Sequence, residues 1–506
     1  MSTLRDLRFE NSFGRLHPAF YEVVDPTPLP EPYLVAFNPD AAALLDLDPS
    51  EAANPELCRY LSGNQRIPGA EPLAQAYAGH QFGVWVPQLG DGRAFLLGEV
   101  RNAGESWDLH LKGAGRTRFS RFGDGRSVLR SAVREYLASE ALHGLGVPTT
   151  RALSIVGSKL PVYREQAETA AVLLRLSPSH VRFGTFQYFA ARGEAERVRE
   201  LADYVLERHF AEGSLRCARD DGSGSLGCAR DDSARYRWFY GEVCRRTARL
   251  IAQWTAAGFA HGVLNTDNMS VLGITLDYGP YGFLDDYDAG FICNHTDTGG
   301  RYAFDQQPAV GMWNCARFGE ALMVLGGDPA AWQGELEGYW PEFAAEYRRL
   351  MLSKLGLNSR STDSTDFTDD EELVSELLRV LQVERTDYTR FFRGLGEYCV
   401  NGQRSTVNGN CASELSAWLT RYAARLRAEG SVDAERAERM RRVNPKYVLR
   451  NWIAQEAIGE AQAGRFELIE ALRRLFSDPW EEHPEMERFA ESPSAESREI
   501  AVSCSS

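Results

Sequence analysis

The sequence predicts an α+β chain, and three observations predict it. Trp107-Asp108-Leu109-His110-Leu111-Lys112 alternates apolar and polar residues with period two, as a half-buried strand does. Residues 127 to 143 carry an apolar stripe at helical spacing, with Gly144 and Gly146 as stop signals. Residues 315 to 475 are mainly amphipathic helices. At 506 residues the chain is long for one domain, and size favours two or three.

Residues 1 to 75 are rich in Pro and short turns, which suggests an irregular extension wrapping the next domain or a loosely attached arm. Gln88 to Val100 then reads as strand, tight glycine turn, strand. Gly90 and Gly92 allow positive φ and close backbone approach, so their amides can face a phosphate. An ordinary hairpin turn explains them as well. In the strand that follows, Trp107, Leu109 and Leu111 share one face and Lys112 lies on the other.

Gly113 to Arg126 is dense in glycine and arginine. Arg116, Arg118, Arg121 and Arg126 fall within eleven residues of a chain whose net charge is −15, and an anionic ligand is the simplest reason. Ser127 is the expected N-cap of the next helix. Glu135 lies on that helix's apolar stripe, where an acid requires a partner, and Lys112 is the obvious one; Glu140 is a rival at a poorer angle. Arg175 ends an apolar strand and Arg182 follows it. Anion binding and structural ion pairing explain both equally well.

Residues 213 to 234 hold a tandem repeat of period 11, read as a local duplication in a surface loop. A helix is expected over 235 to 258. Asn358 to Glu371 is polar and reads as a break, and Asn444 to Trp452 as the opening of a further helix.

Composition excludes some classes. The acidic balance argues against a general nucleic-acid binder. No run of 18 apolar residues suggests a membrane span. The first seventeen residues lack the apolar core of a signal peptide. Nine scattered cysteines without zinc-type pairing suit a reducing cytosol, so a cytoplasmic monomer is expected.

The chemistry concentrates in His261-Gly262-Val263-Leu264-Asn265-Thr266-Asp267-Asn268, followed nine residues after Asn268 by Asp277-Tyr278-Gly279. Kinase-like folds place a base Asp and a metal-binding Asn on one short loop, and a metal-binding Asp before an aromatic and a Gly on a second. His261, Gly262 and Asn268 fit that spacing, but Val263, which accepts no proton, stands where the base belongs. The expectation is therefore a protein-kinase-like bilobal fold. Its N-lobe would span residues 76–176 and its C-lobe 177–330, with the repeat as an insertion. The 1–75 extension would precede the lobes, and a helical C-terminal region, 331–506, would follow.

With these motifs in order the chain resembles the selenoprotein O family, also called the YdiU proteins. The resemblance rests on Tyr77-Ala78-Gly79-His80-Gln81-Phe82-Gly83, Leu111-Lys112-Gly113-Ala114-Gly115, Pro178-Ser179-His180-Val181-Arg182, Asn265 to Ser270 with Asp277 to Pro280, Asn444-Pro445-Lys446-Tyr447 and the Cys-Ser-Ser ending. It implies transfer of AMP from ATP, bound inverted relative to kinases, to hydroxyl side chains of target proteins. It further implies nucleotide contacts from Gly90, Gly92, Arg93, Lys112, Asp124, Gly125, Arg175, Arg182 and Asp277, with Glu135 pairing Lys112. Asp267 would be the base, and Asn268 and Asp277 would hold Mg²⁺ or Mn²⁺. Whether UTP replaces ATP stays open.

Two features depart from the family. The repeat looks like a private insertion. Cys504 takes the place of selenocysteine while Ala501 stands where a paired Cys would be, which rules out a local dithiol. A redox link between Cys504 and Cys293 is one expectation for that thiol, and a stray tail thiol is the other. Two further readings of the whole chain stand beside AMP transfer: an ordinary phosphotransferase with Asp267 as base, and a non-catalytic ATP-binding scaffold.

Overall fold

The computed structural model describes residues 1–211, 232–358, 364–400, 413–500 and 502. Among them it is a mixed α/β structure with fifteen α-helices and antiparallel sheets. The strands are β1 (Phe9–Glu10), β2 (Tyr21–Val23), β3 (Tyr33–Phe37), β4 (Leu73–Gln75), β5 (Gly79–Gln81), β6 (Val84–Val86), β7 (Ala94–Asn102), β8 (Glu105–Lys112), β9 (Ser127–Val128), β10 (Arg151–Tyr163), β11 (Ala167–Ser177), β12 (Phe259–Ala260) and β13 (Gly282–Phe283). The main sheet runs β2-β4-β7-β8-β11-β10-β3, with β1 added to β7 and β9 to β11.

The residues read as an irregular extension therefore supply β1 to β4 of that sheet. They also supply helices α1 (Pro39–Ala43) and α2 (Leu57–Leu61), which cover one of its faces. Leu45, Leu57 and Leu61 pack there with Leu109 and Leu111, the apolar face that alternation in β8 predicts. The opposite face of β8 carries Asp108, His110 and Lys112.

The Gly90-Asp91-Gly92 segment is not a hairpin turn. Among the described residues β6 pairs only with β5, and β7 pairs with β4, β8 and β1. The tight hairpin lies instead between β7 and β8, where Ala103 and Gly104 both take positive φ.

Helix α3 (Leu129–Gly144) lies against β10 and β11. Its cap is Val128, not Ser127, because Ser127 and Val128 are drawn into β9 by pairing with β11. The first part of the chain then runs through α4 (Phe183–Ala190) and α5 (Ala195–His209). The tandem repeat lies largely outside the described residues. Helix α6 (Asp232–Ala257) leads into β12 and the loop that carries Asp267.

Beyond β13 come α7 (Gln307–Leu322), α8 (Pro329–Glu337), α9 (Tyr339–Lys354), α10 (Ser364–Glu384), α11 (Tyr388–Leu395), α12 (Ser413–Ala428), α13 (Asp433–Arg441), α14 (Asn451–Gln462) and α15 (Glu467–Ser477). The polar stretch read as a break is in part the start of α10, and the segment opening at Asn444 becomes helical only at Asn451. Helices α14 and α15 return to back α3, so Tyr136 and Leu137 share a core with Ile458, Leu472 and Phe476. No described helix is long and apolar enough to cross a membrane.

Candidate active site

Lys112 ends β8 and Glu135 sits mid-helix in α3. Their side chains meet at 2.6 Å, with Glu135 only 3 % exposed. The rival, Glu140, is taken by Arg151 through two hydrogen bonds of 2.9 and 2.7 Å. Arg175, from β11, bonds Glu135 at 3.0 Å and Asp277 at 2.6 Å. Arg182 grips the other oxygen of Asp277 and donates to the backbone carbonyl of Asp267 at 2.7 Å. Lys112 lies 3.4 Å from Asp277. Thus the buried arginines have ion-pair partners, and those partners are the candidate active-site acids. Burial disfavours charge on Asp277, but Arg175, Arg182 and Lys112 outweigh it and hold the carboxylate well below the usual range. Asp277 also takes φ of 59°, unusual for a residue with a side chain.

The loop bearing Asp267 is fixed from several sides. His261 bonds the Leu276 carbonyl at 3.0 Å. Gly262 has φ of 77° and sits where a Cβ would lie 2.4 Å from the Pro280 carbonyl oxygen. A single 3-10 turn, Thr266–Asn268, then presents Asp267. Its Oδ2 accepts from the Gln81 amide at 3.2 Å, while Oδ1 is buried without a partner. Burial pushes this carboxyl up to about 6, against the pull of Arg182 and Gln81. Asn268 donates its amide to the Val263 carbonyl at 3.0 Å, which leaves its oxygen as a ligand atom.

A cavity of about 570 Å³ collects these groups. Gly90, Gly92, Arg93, Lys112, Asp124, Gly125, Arg175, Val263, Asp267, Asn268 and Asp277 all line it. Arg182 and Glu135 stand behind the wall and act through Asp277, Lys112 and Arg175. Arg93 lines the cavity with no carboxylate within ion-pair distance among the described residues, and burial lowers its pKa against the more distant attraction of Glu135 and Asp277. Asp124 is held by Arg164 through two bonds of 2.8 Å.

The glycines serve packing as well as access. A Cβ on Gly90 would lie 2.4 Å from Phe119, one on Gly92 would lie 2.8 Å from the Phe119 carbonyl, and one on Gly125 would lie 2.2 Å from Gly115. The arginine-rich loop divides its work. Arg121 and Arg126 line the cavity, but Arg126 also donates to the carbonyls of Thr27 and Pro28, and Arg118 to that of Tyr21. Two of the four arginines are thus partly occupied with tying down the N-terminal segment.

Sequence reasoning missed Gln81, Tyr77 and Arg164, all on the cavity wall, and the buried pair Asp91 and His110. Tyr77 lies under the Arg182 guanidinium, 4.5 Å from its ring centroid. Arg175 Nε donates to His110 Nδ1 at 3.1 Å, and His110 Nε2 meets Asp91 at 3.3 Å. Polar residues on the inward face of β8 were the available signal for His110. Of the two cysteines expected to link, Cys293 is buried, with its thiol 3.5 Å from the Ala260 carbonyl. Cys504 lies outside the described residues.

Oxygen donors at Asp277 and Asn268 suit a hard divalent cation, and Asp277, held well below the usual carboxylate range by its cationic neighbours, would supply the charge. Among the described residues there is no group of three or more His, Cys, Asp or Glu able to hold a metal. A two-ligand site completed by phosphate oxygens and water fits Mg²⁺ or Mn²⁺ better than a closed protein cage.

Comparison with known proteins gives a consistent result. The family model described as protein adenylyltransferase SelO matches residues 3–476. A protein nucleotidyltransferase YdiU of Myxococcus xanthus is 54% identical over 511 positions, covering all of both chains. Those of Thioalkalivibrio sulfidiphilus and Thiobacillus denitrificans are 50% and 49% identical, again over the full length of each. With the family model spanning nearly the whole chain and full-length relatives 49–54% identical, the chain belongs to the protein adenylyltransferase SelO family.

Proposed function

We propose that this nucleotidyltransferase moves AMP from ATP onto Ser, Thr or Tyr hydroxyls of target proteins. The hydroxyl oxygen attacks the α-phosphorus, a new P–O bond forms, the bond to the bridging oxygen breaks, and pyrophosphate leaves. The hydroxyl proton passes to Asp267. The observation that carries this reading is the exchange at the loop: apolar Val263 occupies the kinase base position, while Asp267 lines the same cavity.

ATP then lies inverted relative to a kinase, with the α-phosphate nearest Asp267. Arg93, Lys112 and Arg175 grip phosphate oxygens from the cavity wall, and Arg182 supports them from behind. Gly90, Gly92, Asp124 and Gly125 form the remaining nucleotide wall. Asn268 and Asp277 would hold Mg²⁺ or Mn²⁺, which when bound would offset the charge that builds on the phosphates. The strand Lys112–helix Glu135 pair, followed by the two loops, supports a kinase-like bilobal arrangement, with the main sheet in the first lobe and Asp267 and Asp277 in the second.

ATP labelled at the α- or the γ-phosphate tests the reading directly. Label should reach protein from α-labelled ATP only. Transfer from γ-labelled ATP alone makes the protein a kinase with Asp267 as its base, and transfer from neither makes it a scaffold.

A further inference from the structure

The two oxygens of the Asp267 carboxylate are treated differently, and the difference comes from a distant part of the chain. Oδ2 is held by the Gln81 side chain at 3.2 Å, whereas Oδ1 has no partner although it is buried. Gln81 belongs to β5, in the short two-stranded β5–β6 sheet that stands apart from the main sheet. That hairpin is fastened to the catalytic loop on either side of Gln81. The His80 N–H donates to the Thr266 hydroxyl at 2.7 Å and the Phe82 N–H to the Asn265 side-chain oxygen at 3.2 Å. Thr266 in turn donates to Gln187 of α4 at 2.7 Å. Gly79 lies so close to the loop that a Cβ there would come within 2.7 Å of Oδ1.

Gln81 is half-buried and lines the cavity, and its bond to Asp267 is its only side-chain hydrogen bond among the described residues. A carboxylate only accepts, so the nitrogen end of the Gln81 amide faces it. The donor is neutral, so it restrains the carboxylate without cancelling its charge. An ion pair with Lys or Arg at the same place would do both and weaken the base. Arg182, whose charge does act on Asp267, is directed at its backbone carbonyl and at Asp277.

We propose that Gln81 is a positioning residue for the transfer: its amide pins Oδ2 of Asp267 and so fixes the carboxylate at the cavity where the hydroxyl is to lose its proton. This rests on Asp267 being the base. A base free to rotate about its side-chain bonds spends less time in the reactive geometry, which lowers turnover and leaves nucleotide binding alone.

The test uses Gln81→Met, close in size but without a donor, and Gln81→Glu, which offers only acceptors and a like charge. Asp267→Asn is measured in parallel. AMP transfer from α-labelled ATP, the Kd for ATP and the thermal midpoint are followed in each. Both Gln81 variants should lose about ten- to a hundredfold in kcat, with ATP affinity and midpoint unchanged. If Gln81→Met keeps kcat within about twofold, where a merely structural role would leave it, the proposal is wrong. A weaker Kd for ATP with unchanged kcat would make Gln81 a nucleotide contact and equally overturn it. Should the Met variant fold poorly, the Glu variant, which keeps the polar end, decides the matter by the same measures. An inactive Asp267→Asn beside normal Gln81 variants sinks this inference alone, whereas an active Asp267→Asn removes the base assignment itself.

Discussion

Asp267 and Asp277 are both buried carboxylates on one cavity, yet their surroundings drive them apart. Asp277 faces two guanidinium groups and an ammonium, which hold its carboxylate well below the usual range. Asp267 has one neutral donor and an arginine aimed past it, so burial dominates and pushes it up to about 6. A metal ligand needs permanent charge and a base needs an affinity for protons, so the two environments match the two proposed roles. The base must be deprotonated to act. The acidic limb of the kcat profile should therefore fall about tenfold per pH unit below about 6. Asp267→Asn should abolish that limb while lowering kcat by about 10²–10⁴-fold. A profile flat from pH 5 to 8 in the unaltered protein would contradict this.

Among the elements, β8 and α3 were the most legible. Strict alternation placed Leu109 and Leu111 on one face and Lys112 on the other, and helical spacing put Glu135 on a buried stripe. Both patterns follow from fixed periods of 2 and 3.6 residues. What escaped depended on distant partners. Nothing local marks Gln81 as a neighbour of Asp267, since 186 residues separate them. The Gly90-Asp91-Gly92 segment imitated a hairpin because glycine is read as turn chemistry. Here it answers to Phe119 pressing against it, and to Asp91 accepting from the Gln75 N–H and His110. The true hairpin at Ala103-Gly104 was missed because Ala is a poor signal for positive φ.

Helix α9 holds an equally non-local feature. Lys354 is 6 % exposed, lies over the Tyr388 and Phe392 rings, and has no carboxylate within ion-pair distance among the described residues. Burial lowers its pKa from 10.5 to about 7. Between those values the unfolded chain binds the proton and the folded one does not, so stability rises with pH across that window. Lys354→Met should raise the thermal midpoint by several degrees at pH 7.5, a gain on the order of 3 kcal/mol before loss of the ring contacts. The gain should fade above pH 10.5. A Met variant no more stable than the parent at pH 7.5 would show that the amine is not penalised.

On the scale of the whole molecule, the first and last segments of the chain converge on the same framework. Residues 9 to 75 supply strands of the main sheet, and α14 and α15 back the helix that carries Glu135. Arg473 of α15 even reaches Asp40 of α1 at 2.6 Å. The cavity's geometry thus belongs to the full chain rather than to a central module.

The net charge of −15 adds a long-range repulsion toward any polyphosphate, which the local cations must overcome. Yet Arg175 and Arg182 already have a counter-anion in Asp277. A nucleotide arriving alone would have to displace that carboxylate and leave it buried without compensation. On the proposed function, a divalent cation held by Asp277 would resolve the conflict by freeing Arg175 for the triphosphate. On that reading the site would work as an exchange of partners in which neither newcomer is welcome by itself. ATP and the cation should each bind at least about tenfold more tightly in the other's presence, a coupling of about 1.4 kcal/mol. Asp277→Asn should bind metal-free ATP more tightly than the parent while transferring no AMP, as calorimetry and α-label transfer would show. Equal metal-free affinity in the two proteins would mean the carboxylate holds no such place.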